Sequence, residues 1–238
     1  MPISTMSRES APRSAMRRAS GTSWSGATSS CRIIISRTSA DPGFSAWFLA
    51  PVLAECRAAK NPSRFHLETV RGDELEQQLH DLRLDFAVTS RESLSRPLQL
   101  TRLASCRFRL LVPRRLFAEG RAAVLAFRQK RLPLALAGAD LPPVCWEVFR
   151  DHKAALWCQN ILEVQAAMQR ETLAGLLPDF ASQGFSQELF FALEIRELRR
   201  CCTAYSLAWN PRLLRLNPPA ASMRDWLAKR LAQVMAAL

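Results

Sequence analysis

Hydrophobic positions along the chain fall into short blocks whose spacing switches between two periods. Ile33, Ile34 and Ile35 form a β-branched run of the kind that fills a strand covered on both faces. A polar, turn-rich stretch over residues 36–43 follows, with Ser36, Arg37, Thr38, Ser39, Asp41, Pro42 and Gly43. Over residues 44–59 the apolar positions Phe44, Trp47, Phe48, Pro51, Val52 and Cys56 share one helical face, and Asn61 and Pro62 end the run. A second strand is predicted at 65–71, where Phe65, Leu67 and Thr69 alternate with His66, Glu68 and Val70. Gly72 and Asp73 then turn the chain, with Asp73 placed to cap a helix over 74–83 whose inward stripe is Leu75, Leu79 and Leu82. A third strand at 84–89 ends in polar Thr89 and Ser90.

Residues 100–113 are long for one strand and carry two apolar parts, 100–103 and 108–112, the second placed to cross into another lobe. Beyond them the rhythm repeats: a helix at 118–130, a strand at 132–137 ending in Gly138, a helix at 142–152, and a strand at 155–158 ending in Gln159 and Asn160. A helix at 161–171 and a compact apolar turn at 173–178 follow, then strands at 188–194 and 204–209. The closing helix at 222–238 buries Met223, Trp226, Leu227, Leu231 and Val234. Strand–helix alternation of this kind predicts an α/β fold with parallel strands, and polar residues at the strand ends are where such sheets hold small ligands. Two rhythmic blocks predict two lobes with a cleft between them, residues 31–110 with 206–238 forming the first and 111–205 the second.

Residues 1–30 break this pattern. They are rich in Ser, Thr, Ala and Arg around a lone Trp24, and bury too little to offset the entropy of ordering, so a disordered leader is expected. An Arg-rich, Ser-rich, acid-poor leader also resembles an organellar transit peptide. The net charge of +12 invites a nucleic-acid reading, but its distribution argues otherwise. Within residues 1–37, Arg8, Arg13, Arg17, Arg18, Arg32 and Arg37 face a single acid, Glu9, whereas later cations are interspersed with Asp and Glu as on a solvated face. No apolar run approaches the roughly 20 residues of a membrane span, and no signal-peptide core is present, so a cytoplasmic protein without membrane contact is expected. Seven cysteines (31, 56, 106, 145, 158, 201, 202) show no Cys-x-x-Cys pair and read as reduced thiols. The histidines at 66, 80 and 152 are scattered, so neither a metal site nor a cofactor is expected.

The order of these motifs resembles a known family. Trp47-Phe48-Leu49-Ala50-Pro51-Val52-Leu53, the Asn61-Pro62 break, Gly72-Asp73-Glu74-Leu75, and Leu84-Asp85-Phe86-Ala87-Val88 look like the effector-binding region of LysR-type transcriptional regulators. The Leu111-Val112-Pro113 exit and the segment from Glu163 through Gly175 to Pro178 extend the resemblance over about 200 residues. It implies a type 2 periplasmic-binding-protein-like fold, with two α/β lobes, two crossing strands and an interlobe pocket for a small organic effector. Effector contacts would come from the turn after the first strand (Ser36, Thr38, Ser39), the end of the third (Thr89, Ser90), and second-lobe strand ends (Gly138, Gln159, Asn160). Hydroxyls, amides and helix N-termini suit an anion, with Arg37 or Arg91 as possible charge partners. The same hydroxyls and amides also suit plain helix caps and turns. The stretch from Thr38 to Pro51 is about six residues longer than the family pattern, and Arg83 stands where that pattern has glycine.

The resemblance further implies a homodimer, or a heterodimer with a full-length relative, through 44–59 and 65–71. The winged helix-turn-helix of the family would lie before Cys31, which leads to the expectation of a truncated sensor without specific DNA binding by this chain alone. Two other classes share a two-lobed fold: an enzyme, for which no nucleophile–base arrangement or phosphate loop is found, and an exported solute-binding protein, for which a signal is missing.

Overall fold

Where strand and helix spacing alternate in the sequence, the computed structural model, which describes residues 35–39, 42–58, 64–70, 74–138 and 141–237, places nine strands around a single sheet. The leader and Ile33, Ile34, Asn61, Pro62, Gly72 and Asp73 lie outside the described residues. β1 (Ile35–Ser39) leads into α1 (Pro42–Phe44), a π-helical stretch (Ser45–Leu49) and α2 (Ala50–Ala58), followed by β2 (Arg64–Glu68), α3 (Leu75–His80) and β3 (Phe86–Thr89). β4 (Gln99–Pro113) is followed by α4 (Gly120–Arg128), β5 (Leu134–Ala137), α5 (Pro143–Phe149), β6 (Leu156–Cys158), α6 (Ile161–Met168), β7 (Ala174–Pro178) and α7 (Asp179–Ser182). The chain closes with β8 (Phe190–Leu193), a 3-10 turn (Glu197–Arg200), β9 (Cys202–Trp209), α8 (Pro211–Leu216) and α9 (Pro219–Ala236).

The strand order is β2-β1-β3-β9-β4-β7-β5-β6, with β8 paired to β4. β1 is parallel to β2 and β3, and β5 is parallel to β6 and β7, so each half of the sheet has its own parallel set. β4 joins the halves. Its first part pairs antiparallel with β9 from Gln99 to Arg107, and its second pairs with β7 and β8 from Phe108 to Pro113. The two apolar parts read in 100–113 are thus one strand serving two halves, with a register irregularity between Arg102 and Ala104.

Three elements differ from the sequence reading. Ser36, Thr38 and Ser39 sit inside β1 and not in a turn. Backbone pairing to two parallel neighbours, Ser36 with Phe65 and Thr38 with both Leu67 and Phe86, outweighs the turn preference of those residue types. The apolar turn at 173–178 is the interior strand β7, buried at all five positions between β4 and β5, so it lacks the alternation that marks a half-exposed strand. The predicted helix at 44–59 begins at Pro42 and widens to π geometry before Pro51, with the Ala50 N–H donating to the Ser45 carbonyl. Proline has no N–H and crowds the carbonyl four residues back, and one widened turn accommodates it without ending the helix.

The core lies on both faces of the sheet. One cluster joins Val88, Tyr205 and Leu207 of the first half with Ala137, Cys158, Ile161, Val164 and Phe180 of the second. Another, built on Phe108, Leu110, Leu134, Leu136 and Phe149, fills the opposite face of the second half. A third lies under α3, with Leu75, Leu79 and Leu84. Buried Asn210 ties α8 down: its Oδ1 accepts from the Arg212 N–H (3.0 Å), and its Nδ2 donates to the Leu79 carbonyl (3.2 Å).

Candidate functional site

The C-terminal ends of β1, β3, β5 and β6 carry most of the residues singled out above, Ser36 lying nearer the start of β1, and the fold treats them differently. Ser36, Thr38 and Ser39 lie along β1 in register with β2. Thr89 is buried, its hydroxyl accepting from the Arg91 N–H (3.2 Å), and Ser90 beside it is exposed. Arg91 donates to Glu76 at 2.7 Å. Ser95 adds its N–H (2.9 Å) and its hydroxyl to the same carboxylate, and these bonds hold the Glu76 carboxyl below the usual range.

His80 Nε2 meets the Ser95 hydroxyl oxygen at 2.9 Å, which sets Ser, His and Glu side by side. The serine proton goes to Glu76, so the histidine is the donor to the serine oxygen. A hydrolytic relay needs the imidazole between serine and acid, which this order does not provide. The cluster fastens the 90–98 linker to α3.

On the second half, Asn160 caps α6. Its Oδ1 accepts from the Glu163 N–H (3.0 Å), its Nδ2 donates to Glu163 Oε1 (3.1 Å), and Glu163 Oε2 accepts from the Gln159 N–H (2.8 Å). The Gln159 side chain stays exposed. Gly138 follows the Ala137–Cys158 pair and so lies beside Gln159: a Cβ there would come within 3.8 Å of Trp157 and 4.0 Å of Trp146, whose rings stack with centroids 5.4 Å apart. That pair is partly solvated, Trp146 at 38% and Trp157 at 51% exposure.

Between the two sets of strand ends lies a wedge that sequence spacing did not assign to the site. Phe44 and Phe48 are 4.9 Å apart; Phe44 meets Tyr205 of β9 at 4.8 Å, and Phe48 meets Phe180 of α7 edge-on at 4.8 Å. α1 also touches α6 directly. Trp47 leans outward onto Phe180 (6.3 Å) and the loop at Gly184, where a Cβ would lie 3.6 Å from its ring. The seam is therefore filled by the chain's own aromatic rings. Two features pointed there: the extra length before Pro51 and the density of aromatics within it.

Open volume lies beside the seam. A cleft of about 510 Å³ is bounded by β4, β8, α7 and the 183–187 loop, with Arg109 paired to Asp179 and Arg114 at its mouth. Cys145 and Cys201 are buried within thiol hydrogen-bonding reach. That contact and burial push the Cys145 thiol up, while the hydrogen bond from Cys145 lowers Cys201. Among the described residues no three of His, Cys, Asp and Glu converge for a metal ion. Nor is any helix among them long and apolar enough to cross a membrane.

Comparison with known proteins places this geometry. Residues 37–232 match the family described as the LysR substrate binding domain. No curated protein matches the sequence. Among solved structures, a putative transcriptional regulator from Vibrio parahaemolyticus superposes with a TM-score of 0.69 at 14% identity, covering 85% of this chain and 96% of that one. The regulatory domain of CrgA, a LysR-type regulator from Neisseria meningitidis, gives 0.62 at 13%, covering 84% and 100%. HinK, a LysR family regulator from Pseudomonas aeruginosa, gives 0.63 at 17%, covering 84% and 72%.

Proposed function

The chain belongs to the family of LysR substrate-binding domains, and we propose that it senses a small organic anion at the seam between the two halves of its sheet. The fold is the two-lobed type 2 periplasmic-binding-protein-like architecture of LysR regulatory domains, and the function is that of an effector-binding domain rather than of an enzyme or transport protein. One observation carries the reading: parallel strands of both halves end in hydroxyl and amide residues around a junction that β4 spans and at which the chain returns into β9. We take the lobes as 31–110 with 206–238 and 111–205, and Ser36, Thr38, Ser39, Thr89, Ser90, Gly138, Gln159 and Asn160 as the effector set. The hydroxyl and amide donors of this set support an anionic effector, which at the α6 N-terminus takes the place of the Glu163 carboxylate that accepts there. Because the aromatic wedge fills the seam, an effector reaching these residues displaces the 42–49 segment, and sensing is a competition between ligand and wedge.

A panel of small carboxylates tests this by thermal shift. Binding to the native state alone contributes about 2.7 kcal/mol at a hundredfold excess over Kd, so at least one compound should raise Tm by about 5–10 °C. A flat response across the panel refutes the reading.

We also propose that a second copy, or a full-length relative, pairs through 44–59 and 65–71. β2 is an edge strand, which offers unpaired backbone groups, and Ala50, Pro51 and Ala54 on α2 are exposed. Sedimentation equilibrium should return twice the chain mass at micromolar concentration; a monomer throughout the range rejects the pairing. As part of a transcription regulator, the domain works in the compartment that holds the DNA, which supports a cytoplasmic assignment.

A further inference from the structure

We propose a second ligand site, for a monocarboxylate with a ring or alkyl body, in the cleft between β4, β8, α7 and the 183–187 loop. It adds to the sensor reading and does not depend on it. At about 510 Å³ the cleft is of the size that holds small organic ligands. Its lining is mixed, with Phe185, Phe190 and Phe191 beside Ser182, Gln183 and Gln187, and the rings of Phe185 and Phe190 meet edge to face at 4.8 Å. Its mouth is cationic, and the two guanidiniums differ.

Arg109 is bound through Nε to Asp179, which neutralises it. Arg114 is held without being neutralised. Its Nε donates to the Gln187 carbonyl at 3.0 Å, and its Cζ lies 5.5 Å from the Phe191 ring centroid. These two contacts orient the guanidinium plane, and its terminal Nη groups have no partner among the described residues. An oriented arginine fork with donors to spare, set beside an aromatic wall, matches a carboxylate on an apolar body, and the ordering cost is met before the ligand arrives. A dianion would meet Asp179, which favours a single negative charge.

The site reaches the wedge through the loop. Gly184 lies against the Trp47 ring, and Phe185 follows it into the cleft, so a ligand packed on Phe185 alters the surroundings of Trp47. Occupancy therefore has an optical readout.

Cinnamate, 4-phenylbutyrate and hexanoate are the probes, measured by calorimetry and by tryptophan fluorescence on the full chain, with Trp47→Phe identifying the responding indole. At least one should bind, with a fluorescence change that disappears in Trp47→Phe. Arg114→Ala should raise Kd at least tenfold and Arg114→Lys by a smaller factor, because lysine keeps the charge and loses the fork. Arg114 is exposed, so both variants should retain the wild-type melting temperature without ligand. Ser90→Ala, at the seam, should leave the binding component that Arg114→Ala removes in place. Binding that is unaffected in Arg114→Ala and weakened in Ser90→Ala overturns this site while leaving the sensor reading intact. Failure of all three probes to bind, with other carboxylates in the thermal-shift panel still active, overturns this site alone; a flat panel as well removes both.

Discussion

Phe48→Ala should lower the melting temperature by about 6–20 °C. Phe48 is 1% exposed and lies between Phe44 at 4.9 Å and Phe180 at 4.8 Å, so it joins the helix after β1 to the second half of the sheet. Truncating a buried phenylalanine costs about 3–5 kcal/mol through lost burial and the remaining cavity. For a domain of this size each kcal/mol moves Tm by roughly 2–4 °C. The same change opens volume where an effector would sit, so a carboxylate that binds the wild type at the seam should bind the variant more tightly relative to its own ligand-free state. A loss of less than about 3 °C in a thermal melt would mean that the wedge is not packed in the seam, and the competition between ligand and wedge would lose its basis.

The second large effect is expected at Gly175. A Cβ there would overlap Met168 Sδ and lie 2.9 Å from Val164 Cγ1, so β7 crosses α6 with no room for a side chain. Met168 is flexible but fully buried, and Val164 is stiff at χ1. Gly175→Ala should cost about 1–3 kcal/mol in urea unfolding and Gly175→Val more, as overpacking of a dense core does. Shortening the neighbour tests the cause. Met168→Ala combined with Gly175→Ala should lose less than the two single changes added together, with a coupling of about 0.5–3 kcal/mol. Strict additivity would locate the strain elsewhere.

Much of the architecture was legible because helix and strand periods differ. The blocks at 118–130, 132–137, 142–152 and 161–171 became α4, β5, α5 and α6 with ends moved by a few residues. What escaped has identifiable causes. β7 carries no alternation because both its faces are covered, and β1 is drawn onto hydroxyl residues by pairing partners far along the chain. α8 depends on Asn210, whose hydrogen bond to Leu79 joins residues 131 positions apart. At the site, the capping potential of Asn160 was readable from Glu163 three residues on, whereas the meeting of Phe48 with Phe180 depends on two half-sheets facing each other. The Arg109–Asp179 pair spans 70 positions and is equally invisible to local pattern.

Among the described elements, β4 runs through both halves as one strand, and its ladder with β9 reaches the junction at Arg107 and Cys202, where the Phe108 N–H donates to the Cys201 carbonyl (2.9 Å), so the halves meet at a hydrogen-bonded crossing and not at a loose pair of linkers. Pulling or shearing such a crossing breaks its ladder, whereas a change in the strands' own twist turns one half-sheet against the other with the ladder kept. A small twist swings the far ends of both half-sheets through larger arcs, as a torsion bar turns the arms fixed to it. The rings of Phe44, Phe48 and Phe180 are packed between the halves, so any such turn has to shift them.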